Sequence, residues 1–209
     1  MSTTARDNGT AGDQVPGGGA AGREIAAVGH ADLTPHTLAL VESAFQERLE
    51  QLEQHAEPRP VMVRCGAGAP LAFGRAASAS GRRLVVVIPT YNDVPAMPPR
   101  RDRMATGELL NLADQARLLS YDPNHRDSCV GADERMIATS GLLLAVWDGS
   151  PSNGRDATAH LVTYARARNI PVEIVWPAGA ERGAGEAPTA PSAALPVREP
   201  AEPPGARYS

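Results

Sequence analysis

The chain has 209 residues and a formal net charge of −4, and all 20 of its basic side chains are arginines. That length fits one domain with tails, and the absence of lysine excludes a Walker-type phosphate lysine, a Schiff-base amine and a lysine general base. The mildly acidic balance argues against non-specific nucleic-acid binding, for which a basic face is the usual footprint.

Residues 1–22 are Gly, Ala, Thr and Asp with almost nothing to bury, so they are expected to be a disordered tail. Residues 23–182 then alternate short β-branched runs with longer helical patterns. A strand is expected over Glu24–Gly29. The first helix follows, with Thr34 as its N-cap and Pro35 at its first position. Leu38, Val41, Phe45, Leu49 and Leu52 recur along it at helical spacing through Gln54. A strand over Val61–Cys65, a helix over Leu71–Ser80 and a strand over Leu84–Ile88 come next. The patterns then predict a helix over Met104–Ala116, a weaker strand near Arg117–Ser120 and a helix over Ser128–Ala138. The last elements are a strand over Leu142–Trp147, a helix over Asp156–Arg168 and a strand over Val172–Trp176. Gly81 and Asn169 mark helix stops. Residues 183–209 hold six prolines and are expected to be a second disordered tail.

The runs Leu84-Val85-Val86-Val87-Ile88 and Leu142-Leu143-Leu144-Ala145-Val146 are continuously apolar. Strands covered on both faces look like that, which points to a parallel sheet. The alternation predicts right-handed crossovers and a doubly wound α/β sheet with helices on both faces, a Rossmann-like architecture. Ligands in such sheets bind beyond the carboxyl ends of the strands. The loops there carry Gly29 and His30, then Gly66 and Gly68, then Asp148, Gly149, Gly154 and Thr158. Small residues in strand-to-helix turns let a phosphate approach backbone amides at a helix N-terminus. The glycine spacing is not G-x-G-x-x-G, and such a turn is often only a tight turn. His30 either touches a ligand or hydrogen-bonds a neighbouring loop. Asp148 either holds a ribose hydroxyl or caps its own turn. Trp147 and Trp176 end strands and suit packing. Arg100, Arg101 and Arg103 read more simply as a solvated loop than as an anion clamp.

Catalytic and metal chemistry find little support. Cys65 lies in a strand-end loop without a His or Asp at a motif distance, which favours a buried apolar thiol. The five histidines include no pair at metal-ligand spacing, so no metal and no cofactor are expected. No serine sits in a G-x-S-x-G elbow. Two cysteines make no disulfide framework and suit a reducing cytoplasm. No apolar run approaches the ~18 residues of a membrane span, and the first residues lack the apolar stretch of a secretory signal.

The order of these features resembles the SLOG and LOG-like group of Rossmann-fold nucleotide-binding proteins. The resemblance rests most on Ser140 to Arg182: Leu144-Ala145-Val146-Trp147-Asp148-Gly149, then Gly154 to Thr158, then Val175-Trp176-Pro177-Ala178-Gly179-Ala180. Val28-Gly29-His30 is similar to the first strand-end motif of that group. The departures are Ala31 for the usual Arg, Pro70 for an Asp, Gly141 for an Asp, and Asp156-Ala157 for Gly-Gly before Thr158. An Asp at a helix start repels a phosphate that the helix dipole would attract. Ala157 adds a Cβ where the group keeps backbone bare. Hydrolytic LOG enzymes, which split a nucleoside monophosphate into base and ribose phosphate, carry a Glu where Leu161 stands here, and Arg135 lies about one turn from the place of their arginine.

The resemblance therefore implies a non-catalytic module that binds or senses a nucleotide or nucleotide-derived ligand, or a degenerate copy of one that acts through protein contacts. The alternative is an N-glycosidic hydrolase, against which Leu161 counts. A protein partner and a homodimer stay open, while neither a nucleic acid nor a membrane is expected as a partner.

Overall fold

The two continuous apolar runs form interior strands of a seven-stranded sheet, with two further strands between them. A computed structural model describes residues 23–53, 58–92 and 94–183, so the two expected tails, save Gly183, lie outside the described residues, as does Gln54. Strand β1 (Ile25–Gly29) lies between β2 (Val61–Arg64) and β6 (Leu142–Val146), parallel to both. Strand β3 (Leu84–Tyr91) continues the sheet beyond β2, and β5 (Gln115–Ser120) pairs with its other edge, again in parallel. On the opposite side β6 pairs with β7 (Val172–Ile174). Every residue of β6 is buried, as its sequence demands of a strand covered on both faces.

Helices α1 (Pro35–Glu53), α2 (Ala69–Ala79) and α3 (Arg103–Leu112) cover one face. Phe45 of α1 meets Phe73 of α2 edge to face at 4.8 Å between ring centroids. Helices α4 (Arg126–Ala138) and α5 (Thr158–Ala167) cover the other, with Met136, Ile137, Leu161 and Val162 in its core. The expected doubly wound α/β architecture is present. No helix among the described residues is long and apolar enough to cross a membrane.

The chain departs from its sequence-based outline in places with physical causes. Strand β3 runs past Ile88 to Tyr91 and turns back into β4 (Val94–Pro95), an antiparallel ribbon disguised by Pro89 and Pro95. The helix expected over Met104–Ala116 stops at Leu112. There the Asp114 amide donates to the Leu84 carbonyl, and the Asp114 carboxylate accepts the Leu84 amide at 2.8 Å. That tie swings the chain into β5, which starts at Gln115. Helix α5 starts at Thr158 rather than Asp156: Ala157 is its N-cap, and Asp156 stands just outside the helix, where its carboxylate accepts the Thr158 amide. Helix α4 starts two residues before the expected Ser128. Gly183, expected in the tail, donates its amide to the Asp32 carbonyl.

Two glycines let backbone come close around β1, Gly68 from the loop after β2 and Gly29 against β6. Gly68 has φ +72°, and a Cβ there would fall 2.4 Å from the His30 carbonyl oxygen. A Cβ on Gly29 would lie 2.6 Å from the Val146 carbonyl oxygen and Cβ. Both positions require glycine for close approach of backbone. The chain winds outward from β1 to β2, β3 and β5, then returns to the far side of β1 as β6. The carboxyl ends of β1 and β6 thus flank the crevice where strand order reverses, the usual ligand position of such sheets.

Candidate functional site

His30 leaves β1 directly into this crevice and is fully buried. Its ring is fixed from both sides. Nε2 accepts the Asp148 amide at 3.1 Å, and Nδ1 meets the Asp156 carboxylate at 2.5 Å. Nε2 accepting an N–H places the ring proton on Nδ1, facing Asp156. The edge of the imidazole packs against Trp176, with centroids 5.7 Å apart. Of the two roles open for His30, the structure realises the hydrogen bond to neighbouring loops. It does so with loops that follow β6, at the switch point itself.

Asp156 works in two directions. One oxygen meets His30, and the other accepts the Thr158 amide at 2.7 Å. The carboxylate therefore sits at the amino end of α5, where amides and the helix dipole favour an anion. Burial pushes its pKa up, but His30 and the Thr158 amide outweigh burial and hold it well below the usual carboxylate range. Asp148 caps its own turn by accepting the Ser150 amide at 2.9 Å, and its carboxylate also lies 3.1 Å from Nε2 of His30. The hydrogen bonds from Ser150 likewise hold it below its ordinary value, against the upward push of burial.

Arg182 closes the crevice. The segment after β7 turns back over the start of α1. There the Thr37 hydroxyl and Glu181 backbone exchange two hydrogen bonds, of 2.8 and 2.7 Å, and Leu33 bridges to Arg182. This delivers the guanidinium onto Asp32 at 2.9 Å and Asp156 at 3.3 Å, with Asp148 at 3.9 Å. Its hydrogen bonds to Asp32 raise its own pKa further. His30, Asp32 and Asp156 also present ligand atoms within 4.8 Å of one another, a grouping that linear spacing does not show. The Arg182 guanidinium supplies the positive charge for those carboxylates.

The other sequence-derived site residues sort by position. Gly29 and Gly68 serve backbone packing. Thr158 is buried at the α5 start, and Gly149 takes φ +87° in the turn after β6. A Cβ on Gly66 or Gly154 would meet nothing within 4 Å. Of these two, Gly66 is buried beside the crevice and Gly154 is exposed. Trp147 donates to the Ser150 carbonyl at 2.7 Å and holds the same turn. Cys65 is buried with its sulfur 3.5 Å from the Tyr121 hydroxyl, as an apolar thiol would be. Sequence reasoning missed Asp32 and Arg182 as members of the site. No local motif marks either.

No family model matches the chain, and no curated protein matches it in sequence. Among solved structures, the chain is similar to DNA processing protein A (DprA) from Streptococcus pneumoniae, with a TM-score of 0.51 at 16% identity. The match covers 76% of this chain and 52% of that one, so this chain spans about half the length of that protein. An uncharacterized protein from Agrobacterium tumefaciens C58 aligns at 13% identity over 77% of this chain and 65% of its own, with a TM-score of 0.21. The likeness to DprA is one of fold, a Rossmann-like sheet with helices on both faces.

Proposed function

We propose that this domain is a non-catalytic, SLOG-like module that binds a nucleotide or nucleotide-derived ligand in the β1/β6 crevice. Its anion position is held in the resting state by its own Asp156. The observation that carries the reading is the placement of the Asp156 carboxylate at the amino end of α5, bonded to His30 and Arg182. An anion is held where a ligand phosphate would sit, by the amide, imidazole and guanidinium donors that would bind one. A ligand entering the crevice competes with Asp156 for those donors. Asp148 and Gly149 offer a carboxylate and bare backbone beside them.

The absence of a carboxylate at Leu161 supports binding over hydrolysis. Leu161, on the buried face of α5, packs into the core, so that position offers the crevice no general acid or base. Thermal melting of the purified protein against nucleoside monophosphates, cyclic nucleotides and ADP-ribose derivatives tests the reading. A ligand of the native state raises the melting temperature with the logarithm of its concentration over Kd once that ratio exceeds one. At least one of these classes is expected to raise it; no shift with any of them at millimolar concentration contradicts the proposal.

A further inference from the structure

A second concavity lies at the other end of the sheet's carboxyl edge, away from the crevice. It is a groove of about 260 Å³ between the chain after β4 and helix α3. Ile88, Pro95, Met97, Pro98 and Leu110 are among the apolar side chains that line it, and Thr106 is its one polar lining residue. Thr106 is only 6% exposed, and its hydroxyl has no hydrogen-bond partner among the described residues. A buried hydroxyl without a partner is costly, and native structures rarely leave one without a reason. Leu118 pairs in register with Ile88, so it carries the same sheet face outward and is half exposed. Met97, in the groove lining, is 70% exposed, and Met104 in the first turn of α3 is 90% exposed. Exposed methionines are frequent on surfaces that accept another chain. Arg100, Arg101 and Arg103 are exposed on the segment that leads from the groove into α3, where Arg103 donates to the Pro98 carbonyl of the groove wall at 3.3 Å and Asp102 balances one of the three charges by pairing with Arg101 at 3.5 Å.

We propose that this groove docks an acidic, apolar peptide segment of a partner protein. The apolar lining takes the partner's aliphatic side chains. The Thr106 hydroxyl bonds a partner carbonyl, and the three arginines pair with its carboxylates. A second copy of this chain would bring the same arginines against these, and like charges oppose that contact. The apolar lining favours peptide side chains over a phosphodiester backbone. This surface is separate from the β1/β6 crevice, and the inference is independent of the nucleotide reading.

Selection from a displayed random-peptide library against the full chain tests it, followed by fluorescence anisotropy with the recovered peptides. The recovered peptides are expected to combine Asp or Glu with a large apolar residue. Thr106→Val, which removes only the hydroxyl, is expected to leave melting unchanged or raised while weakening peptide binding about tenfold. The triple variant Arg100→Ala, Arg101→Ala, Arg103→Ala is expected to weaken it at least as much and to flatten its salt dependence. Recovery of no peptide, recovery of peptides without acidic residues, or affinities unchanged in both variants would overturn the proposal. So would a single-stranded oligonucleotide that binds the chain and is lost on Thr106→Val, or self-association that is lost on Met97→Ser.

Discussion

The Asp156 carboxylate meets Nδ1 of His30 at 2.5 Å, although 126 residues separate them in the chain. The contact joins the two loops that flank the switch point, one following β1 and the other opening α5. It converts a place where a Rossmann-like sheet ordinarily receives a ligand into one filled by the chain itself.

The first consequence is a pH-dependent stability gap. Asp156→Asn is expected to cost about 1–3 kcal/mol at neutral pH, the range for losing hydrogen bonds to a charged, mostly buried group. The Asp156 pKa is depressed in the folded state. Its contribution is therefore complete above the unfolded value of about 4 and is lost as pH falls toward the folded one. Urea unfolding of both proteins at neutral pH and at stepwise lower pH checks this. The gap should narrow below about pH 4; a gap that stays constant would show that the Asp156 charge contributes nothing.

The second concerns the glycines. Gly68→Ala forces a Cβ against the His30 carbonyl oxygen at positive φ. It is expected to cost more than about 2 kcal/mol, beyond the common range for surface changes. Gly154→Ala meets nothing within 4 Å and should stay within about 0.5 kcal/mol of the parent. Thermal melts of the two variants decide between a packing role and a merely permissive one. Equal losses would contradict the close approach.

The third lies beneath α4. Arg64 and Asp133 form a two-point ion pair at 2.8 and 3.2 Å, with the Arg64 side chain a quarter exposed and Asp133 a tenth. Burial works against the guanidinium, but Asp133 outweighs it and keeps Arg64 charged. Asp133→Ala is expected to cost about 2–3 kcal/mol, somewhat under the range for fully buried pairs because Arg64 retains some solvent. Arg64→Met with Asp133→Leu should recover most of that loss, as apolar replacements of ion pairs often do. A double variant as unstable as the single one would show that the pair is needed for more than its charge balance.

Much of the sheet was legible because buried parallel strands are continuously apolar, as in β3 and β6. The helix boundary at Leu112 was not, since Ala113 to Ala116 carry no breaker and the turn is made by the tertiary tie between Asp114 and Leu84. The short strand β4 has two residues, one of them Pro95, and shows no alternation to read. The place of His30 after a buried strand was legible, and so was one of its two expected roles, the hydrogen bond to a neighbouring loop. Asp156 was legible as a charge at the start of a helix, but its partner was not. Asp32 and Arg182 meet across 150 residues of chain, a distance at which spacing carries no signal.

On the proposed reading, Asp156 holds the anion position of a nucleotide-type site. Asp156→Gly combined with Ala157→Gly removes the charge and the Cβ together. A unit negative charge near a phosphate costs on the order of a few kcal/mol at an effective dielectric near 20, enough to suppress ordinary micromolar binding. The variant is also expected to lose stability, because His30 and the α5 amides lose their acceptor. Calorimetric titration of both proteins with a nucleoside monophosphate, under conditions where both are folded, is the direct measurement. The double variant is expected to bind at least about tenfold more tightly; equal affinity, or tighter binding by the unmodified chain, would show that Asp156 does not occupy a phosphate position.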